Sequence, residues 1–137
     1  MKTLKLLLAF ILLMDGISYS QSTTSKTPIV KSMLIFPPQQ LHTHGSSIVN
    51  LPNGDFLAAW FEGSGERTAD DVKIMGARLK KGDASWSKPF LMADTYNIPD
   101  CNPVLFLNHE NKLFLVWIAV EANRWEYSIL RFRTSID

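Results

Sequence analysis

The sequence predicts an all-β chain built from a repeated antiparallel sheet, and three observations predict it. A strand, a tight turn and a second strand are written twice, as HGSSIVNLPNGDFLAAWFE at residues 44–62 and NPVLFLNHENKLFLVWIAV at residues 102–120. The returning strands, residues 56–61 and 113–120, are unbroken apolar runs that do not alternate with polar residues, so both faces need cover. The aligned tryptophans Trp60 and Trp117 are separated by 117 − 60 = 57 residues. That period suits one four-stranded propeller blade, which runs to roughly 40–50 residues in familiar repeats and more with longer loops. A buried sandwich strand or a short buried helix would also give apolar runs. Bulky aromatic and β-branched residues, with the turn at Asn53-Gly54, argue against helix.

Taken in order, residues 1–20 read as a secretory signal peptide. Lys2 and Lys5 form a positive start, residues 6–14 are apolar, and Ser18 and Ser20 are small residues placed for cleavage before Gln21. The apolar run is far short of the roughly 20 residues that span a bilayer, which weighs against an uncleaved anchor. The location expected is secreted or periplasmic, with no membrane attachment after cleavage. Residues 21–40 are a spacer and lead-in, Ser/Thr-rich at first, and residues 41–137 are the propeller part. Within it, residues 48–51 and 56–61 form the first hairpin and residues 72–78 a third strand. A Gly/Asp turn then leads into Ser85-Trp86-Ser87-Lys88-Pro89. In the second repeat, residues 104–107 and 113–120 pair, with a turn expected to be one residue longer, and residues 127–133 follow as the third strand.

Composition narrows the function by exclusion. The 137 residues carry 14 Lys and Arg against 13 Asp and Glu, a net charge of +1, and a single cysteine. Neither a basic nucleic-acid footprint nor a disulfide framework is present. No phosphate loop, zinc spacing or nucleophile elbow appears, so no cofactor and no metal is expected.

The order of segments carries a resemblance. A His-x-Ser stretch at His44-Gly45-Ser46-Ser47, the Asn53-Gly54-Asp55 turn, the Phe61-Glu62-Gly63 loop entry, Trp86-Ser87-Lys88-Pro89 and Asn102-Pro103-Val104-Leu105-Phe106 follow one another. Together they resemble the bacterial sialidase-like family of BNR (bacterial neuraminidase repeat) proteins, over nearly all of residues 41–137. The resemblance implies the N-terminal two blades of a sialidase-like β-propeller, an incomplete ring, since propellers use about four to eight blades. It implies an exported glycan-active protein whose full-length relative is an exo-glycoside hydrolase removing a terminal acidic or deoxy sugar. A non-catalytic carbohydrate-binding propeller and an inactive truncated fragment are the rivals, and fold analogy does not separate them. Two departures matter. The first arginine of the family's carboxylate clamp is replaced by His44-Gly45-Ser46-Ser47, and the Ser-x-Asp-x-Gly-x-x-Trp box survives only as residues 81–86.

The candidate site residues are few. His44 is at the start of an inner strand, where a histidine can serve as general acid or base; a satisfied turn histidine is the plain alternative, and more so for His42. The resemblance places a general acid at Asp70 or Asp71, where apolar walls would raise a carboxyl enough to protonate a leaving oxygen. A solvated turn is the plain alternative there too. Glu66 and Arg67 share that loop and could orient a sugar. Asn102 is read as occupying the place of His44 in the second repeat, and Trp125 as an aromatic facing the funnel. Cys101 is read as a small buried thiol.

Overall fold

The computed structural model describes residues 27–66 and 68–136. The expected signal peptide, the first part of the spacer and Arg67 lie outside the described residues. The chain divides into two units, Met1–Lys31 and Ser32–Asp137. Residues 27–31 of the first have no regular secondary structure, and every strand among the described residues belongs to the second. No helix among the described residues is long and apolar enough to cross a membrane.

The fold is all-β, as two consecutive antiparallel sheets arranged as blades of a BNR-type propeller. Strands β1 (His42–Asn50), β2 (Phe56–Gly63), β3 (Lys73–Leu79) and β4 (Phe90–Ala93) form the first sheet in that order. Strands β5 (Asp100–Leu107), β6 (Leu113–Val120) and β7 (Ser128–Ser135) form the second. The third strands thus begin one residue later than the sequence pattern suggests.

The two hairpins are built alike. Asn50 pairs with Phe56 and Leu107 with Leu113, so residues 51–55 and 108–112 make turns of equal length. In the first, Leu51 N donates to Asp55 O at 2.8 Å and Gly54 N to Leu51 O at 2.8 Å; in the second, Asn108 N donates to Lys112 O and Asn111 N to Asn108 O, each at 3.0 Å. Gly54 (φ 89) and Asn111 (φ 62) fill the left-handed position, the residue types that tolerate it best. The longer second turn expected from sequence is therefore absent. Matching Ile48 to Val104 misplaces the strand by one residue, because residues 104–106 are apolar throughout and admit either register; the ladder equates Ile48 with Leu105.

Burial follows from stacking. Leu57, Ala59, Phe61 and Ile74 of the first sheet, with Val72 just ahead of β3, share one core with Leu105, Leu113, Leu115 and Trp117 of the second. Phe61 is wholly buried there, a contribution of about 1.5–3 kcal/mol. On the other face of the first sheet Ala58, Trp60 and Ala77 pack with Ile35, Phe36 and Trp86, so the lead-in acts as a cap. Both faces of β2 are covered, as its apolar run requires. For β6 the expectation holds on one face only: Phe114, Val116 and Ile118 are half-buried. Beside them Leu130 is 70% and Phe132 67% exposed, because no third sheet covers that side among the described residues.

A buried carboxylate sits at each tryptophan, but the two come from different strands. Trp60 Nε1 donates to Glu62 Oε2 at 2.9 Å, and Trp117 Nε1 donates to Asp100 Oδ1 at 2.8 Å. Glu62 on β2 is the cross-strand partner of Thr43, whereas Asp100 on β5 is the cross-strand partner of Ala119. The repeat has kept the acceptor near the indole while moving it across the ladder. Gln39 Nε2 also donates to Glu62 Oε2 at 2.9 Å, tying the lead-in to the same carboxylate.

Candidate functional site

The inner strands β1 and β5 adjoin and each is interrupted by a bulge near its start. Pairing skips from His44 to Ser47 in β1 and from Cys101 to Val104 in β5. The residues left out of the ladder are Gly45-Ser46 and Asn102-Pro103. Gly45 (φ 60) and Asn102 (φ 53) both take the left-handed conformation, which bends the strand and turns its first residues away from the pleat. Ser47 Oγ accepts a hydrogen bond from Leu105 N at 2.9 Å, joining the two inner strands directly.

This geometry corrects one expectation. His44 pairs with Phe61 and Cys101 with Ile118, so Cys101 is the counterpart of His44, and Asn102 is the counterpart of Gly45. Asn102 nevertheless lies beside the first repeat: a Cβ on Gly45 would stand 3.4 Å from Asn102 Oδ1 and 2.6 Å from Phe61 Cε1. The histidine and the asparagine therefore emerge from adjoining bulges. His44 is exposed, and its ring meets Phe61 edge-on at 5.6 Å and lies 5.9 Å from the ring of His42. Cys101 is fully buried, with its Sγ 4.0 Å from the carbonyl of Glu66. Burial, reinforced by the charges of Glu66 and Asp100, pushes its thiol up to about 12, which keeps it protonated and inert at neutral pH.

The loop between β2 and β3 brings Glu66 to this place. Its neck is closed by Asp71, whose Oδ1 accepts from Ser64 N at 3.0 Å and from Ser64 Oγ at 2.9 Å. Gly63 fits there because a Cβ would sit 2.8 Å from Val72 Cα. The Ser64 backbone N–H is the main reason the Asp71 carboxyl lies below its ordinary value, outweighing desolvation. That is the opposite of the raised pKa on which a general-acid role at this position was argued; the exposed carboxylate holds the loop closed. Asp70 is an exposed turn residue, and Arg67 lies outside the described residues. Trp125 is on a separate connection, in the short 3-10 turn Trp125–Tyr127, and is 38% exposed.

Three residues were not anticipated. Gly45 sets the bulge, and a glycine inside a strand pattern is the available signal for it. Asp100 is wholly buried and accepts from Thr95 N at 2.7 Å, Thr95 Oγ1 at 2.8 Å and Trp117 Nε1. Burial holds its carboxyl above the ordinary value despite those donors. Glu62 plays the matching part in the first sheet. Among the described residues no group of three or more His, Cys, Asp and Glu could hold a metal ion. A cavity of about 350 Å³ lies between the two hairpin turns, at the far end of the strands from His44, and contains none of the candidate residues.

The comparison with protein families agrees with this architecture. Residues 54–137 match the BNR repeat-like domain, a span that begins at the first hairpin turn and runs through both sheets, leaving β1 with His44 and Gly45 ahead of it. No curated protein matches the chain. With more than half of its residues in the match and two blades of the expected kind, the chain belongs to the BNR repeat-like domain family.

Proposed function

We propose that the chain is the glycan-recognising part of an exported, sialidase-like protein, with its ligand held over the bulged starts of β1 and β5. The observation that carries this reading is the convergence of exposed His44 and Asn102 at adjoining bulges, with the Glu66 loop beside them. An imidazole there can take or give a proton, and an amide supplies both a donor and an acceptor to sugar hydroxyls. The activity this supports is exo-cleavage of a terminal acidic or deoxy sugar, with His44 as acid or base and Asn102 as a ligand contact. Export is supported by the charged, apolar and small-residue order of residues 1–20.

The state of Asp71 favours a second reading, carbohydrate binding without cleavage. A carboxylate kept ionised by Ser64 is a poor proton donor at neutral pH. The deciding experiment uses the chain as it exists and compares wild type with His44→Ala. Loss of about 10²-fold in glycoside turnover, with product-sugar affinity little changed, supports cleavage. Sugar affinity without turnover in either protein supports the binding module. Absence of both discards the inner-strand site.

A further inference from the structure

His42 and His44 stand two residues apart on β1, so the pleat sends both to one face of the strand, and both are exposed. Their ring centroids are 5.9 Å apart. Each ring also faces buried Phe61, at 6.2 Å for His42 and 5.6 Å for His44, which gives the pair a common apolar wall. The cross-strand partner of His42 is Gly63, which brings no side chain into the space beside the imidazole. Among the described residues neither ring makes a hydrogen bond or an ion pair, so the nitrogens of both are available to a shared ligand.

The separation points to the ligand. A metal–imidazole bond of about 2.0–2.1 Å sets the ring centroid about 3.2 Å from the ion, so two rings on one ion have centroids at most about 6.4 Å apart. The observed 5.9 Å lies within that reach. The local charge suits a cation as well, because Asp71, held ionised by Ser64, places its Oδ1 3.0 Å from where a Cβ on Gly63 would be.

We propose that His42 and His44 form a two-imidazole chelate for copper(II), with water completing the shell. Nitrogen donors with oxygen in the remaining positions suit the tetragonal geometry of that ion, which also heads the affinity order among divalent first-row metals. Zinc sites take three or four protein ligands, and calcium and magnesium take oxygen, so the pair fits none of these. Sequence spacing pointed to no metal because the familiar patterns need more ligands, whereas a strand brings alternate residues together with only two. A neutral imidazole has one nitrogen lone pair, so an ion on His44 excludes its use as a base.

Copper(II) titration of the full chain without an affinity tag tests the assignment, by calorimetry and by electron paramagnetic resonance at one equivalent. His109 is the internal control, a histidine that is 89% exposed in the second hairpin turn. One saturable site with nitrogen hyperfine structure from two imidazoles is expected. His42→Ala and His44→Ala should each weaken binding by about tenfold or more, and His109→Ala should bind like wild type. Neither strand histidine is buried, so both variants should keep the wild-type circular dichroism spectrum. Unchanged affinity in either strand variant, binding as tight in the double variant, an equal loss in His109→Ala or a one-nitrogen spectrum would overturn the assignment.

Discussion

Gly45 and Asn102 hold the same place in the two repeats, both in the left-handed conformation, and the amide oxygen of Asn102 stands 3.4 Å from where a Cβ on Gly45 would be. Both bulges depend on that backbone state, and the two residues meet because the inner strands adjoin.

Substitution at the pair should therefore be asymmetric. Gly45→Ala meets both an unfavourable φ, which costs about 1–2 kcal/mol, and the Phe61 ring at 2.6 Å. Asn102→Gly keeps the φ accessible and should leave stability within about 1 kcal/mol of wild type or above it. Urea unfolding measures both; a Gly45→Ala protein as stable as wild type would show that the bulge is free to rearrange.

Asp100 predicts a pH effect of definite sign. Its folded carboxyl lies above the ordinary value of 3.8, so the native state binds more protons than the unfolded one between the two values. Stability from this group is fully present below about pH 3.8 and is lost as pH rises through the folded value. Asp55 and Asp71, held low chiefly by the backbone N–H groups of Lys81 and Ser64, act oppositely: their contribution is present above 3.8 and lost as pH falls through their folded values. Comparing wild type with Asp100→Asn across pH isolates the first effect, and the difference between them should change in favour of Asn as pH rises. Asp100→Ala should destabilise at every pH, by about 1–3 kcal/mol for each buried donor left unpaired.

Much of the fold was legible because strand pairing leaves a mark in sequence. The apolar runs of β2 and β6 and the Asn53-Gly54 turn gave both hairpins and the blade repeat. The error of one residue in the second turn arose where residues 104–106 are all apolar and no polar position fixes which face each takes. The site was less legible. His44 and Asn102 were found, yet their meeting depends on bulges, and a bulge is encoded by a conformational tolerance at Gly45 and Asn102 rather than by a pattern. The low pKa of Asp71 arises from Ser64, seven residues away and joined to it only after the loop closes.

Asp71 should matter for the loop before it matters for chemistry. Asp71→Asn is expected to speed amide hydrogen exchange at Ser64, whose N–H the carboxylate binds, while leaving exchange in β2 and β3 unchanged. Unaltered exchange at Ser64 would mean that the neck is held by Gly63 and Val72 packing alone.

The apolar side of the second sheet should govern solution behaviour. Leu130 and Phe132 stand on the edge strand β7 beside half-buried Phe114, Val116 and Ile118. Concentration-dependent association is expected by analytical ultracentrifugation, and Leu130→Lys with Phe132→Glu should reduce it. Association that persists unchanged in the double variant would place the contact elsewhere.

The carboxylate that moved across the ladder limits how the repeats can be recombined. A hairpin joining β1 to β6 would set Thr43 opposite Ala119, leaving the tryptophan without an acceptor. The reciprocal hairpin, β5 with β2, would set Asp100 opposite Glu62 and crowd two acids under one indole. Exchange between the blades is compatible with the core only when both strands travel together, which makes the hairpin, and not the strand, the smallest transferable unit of this chain.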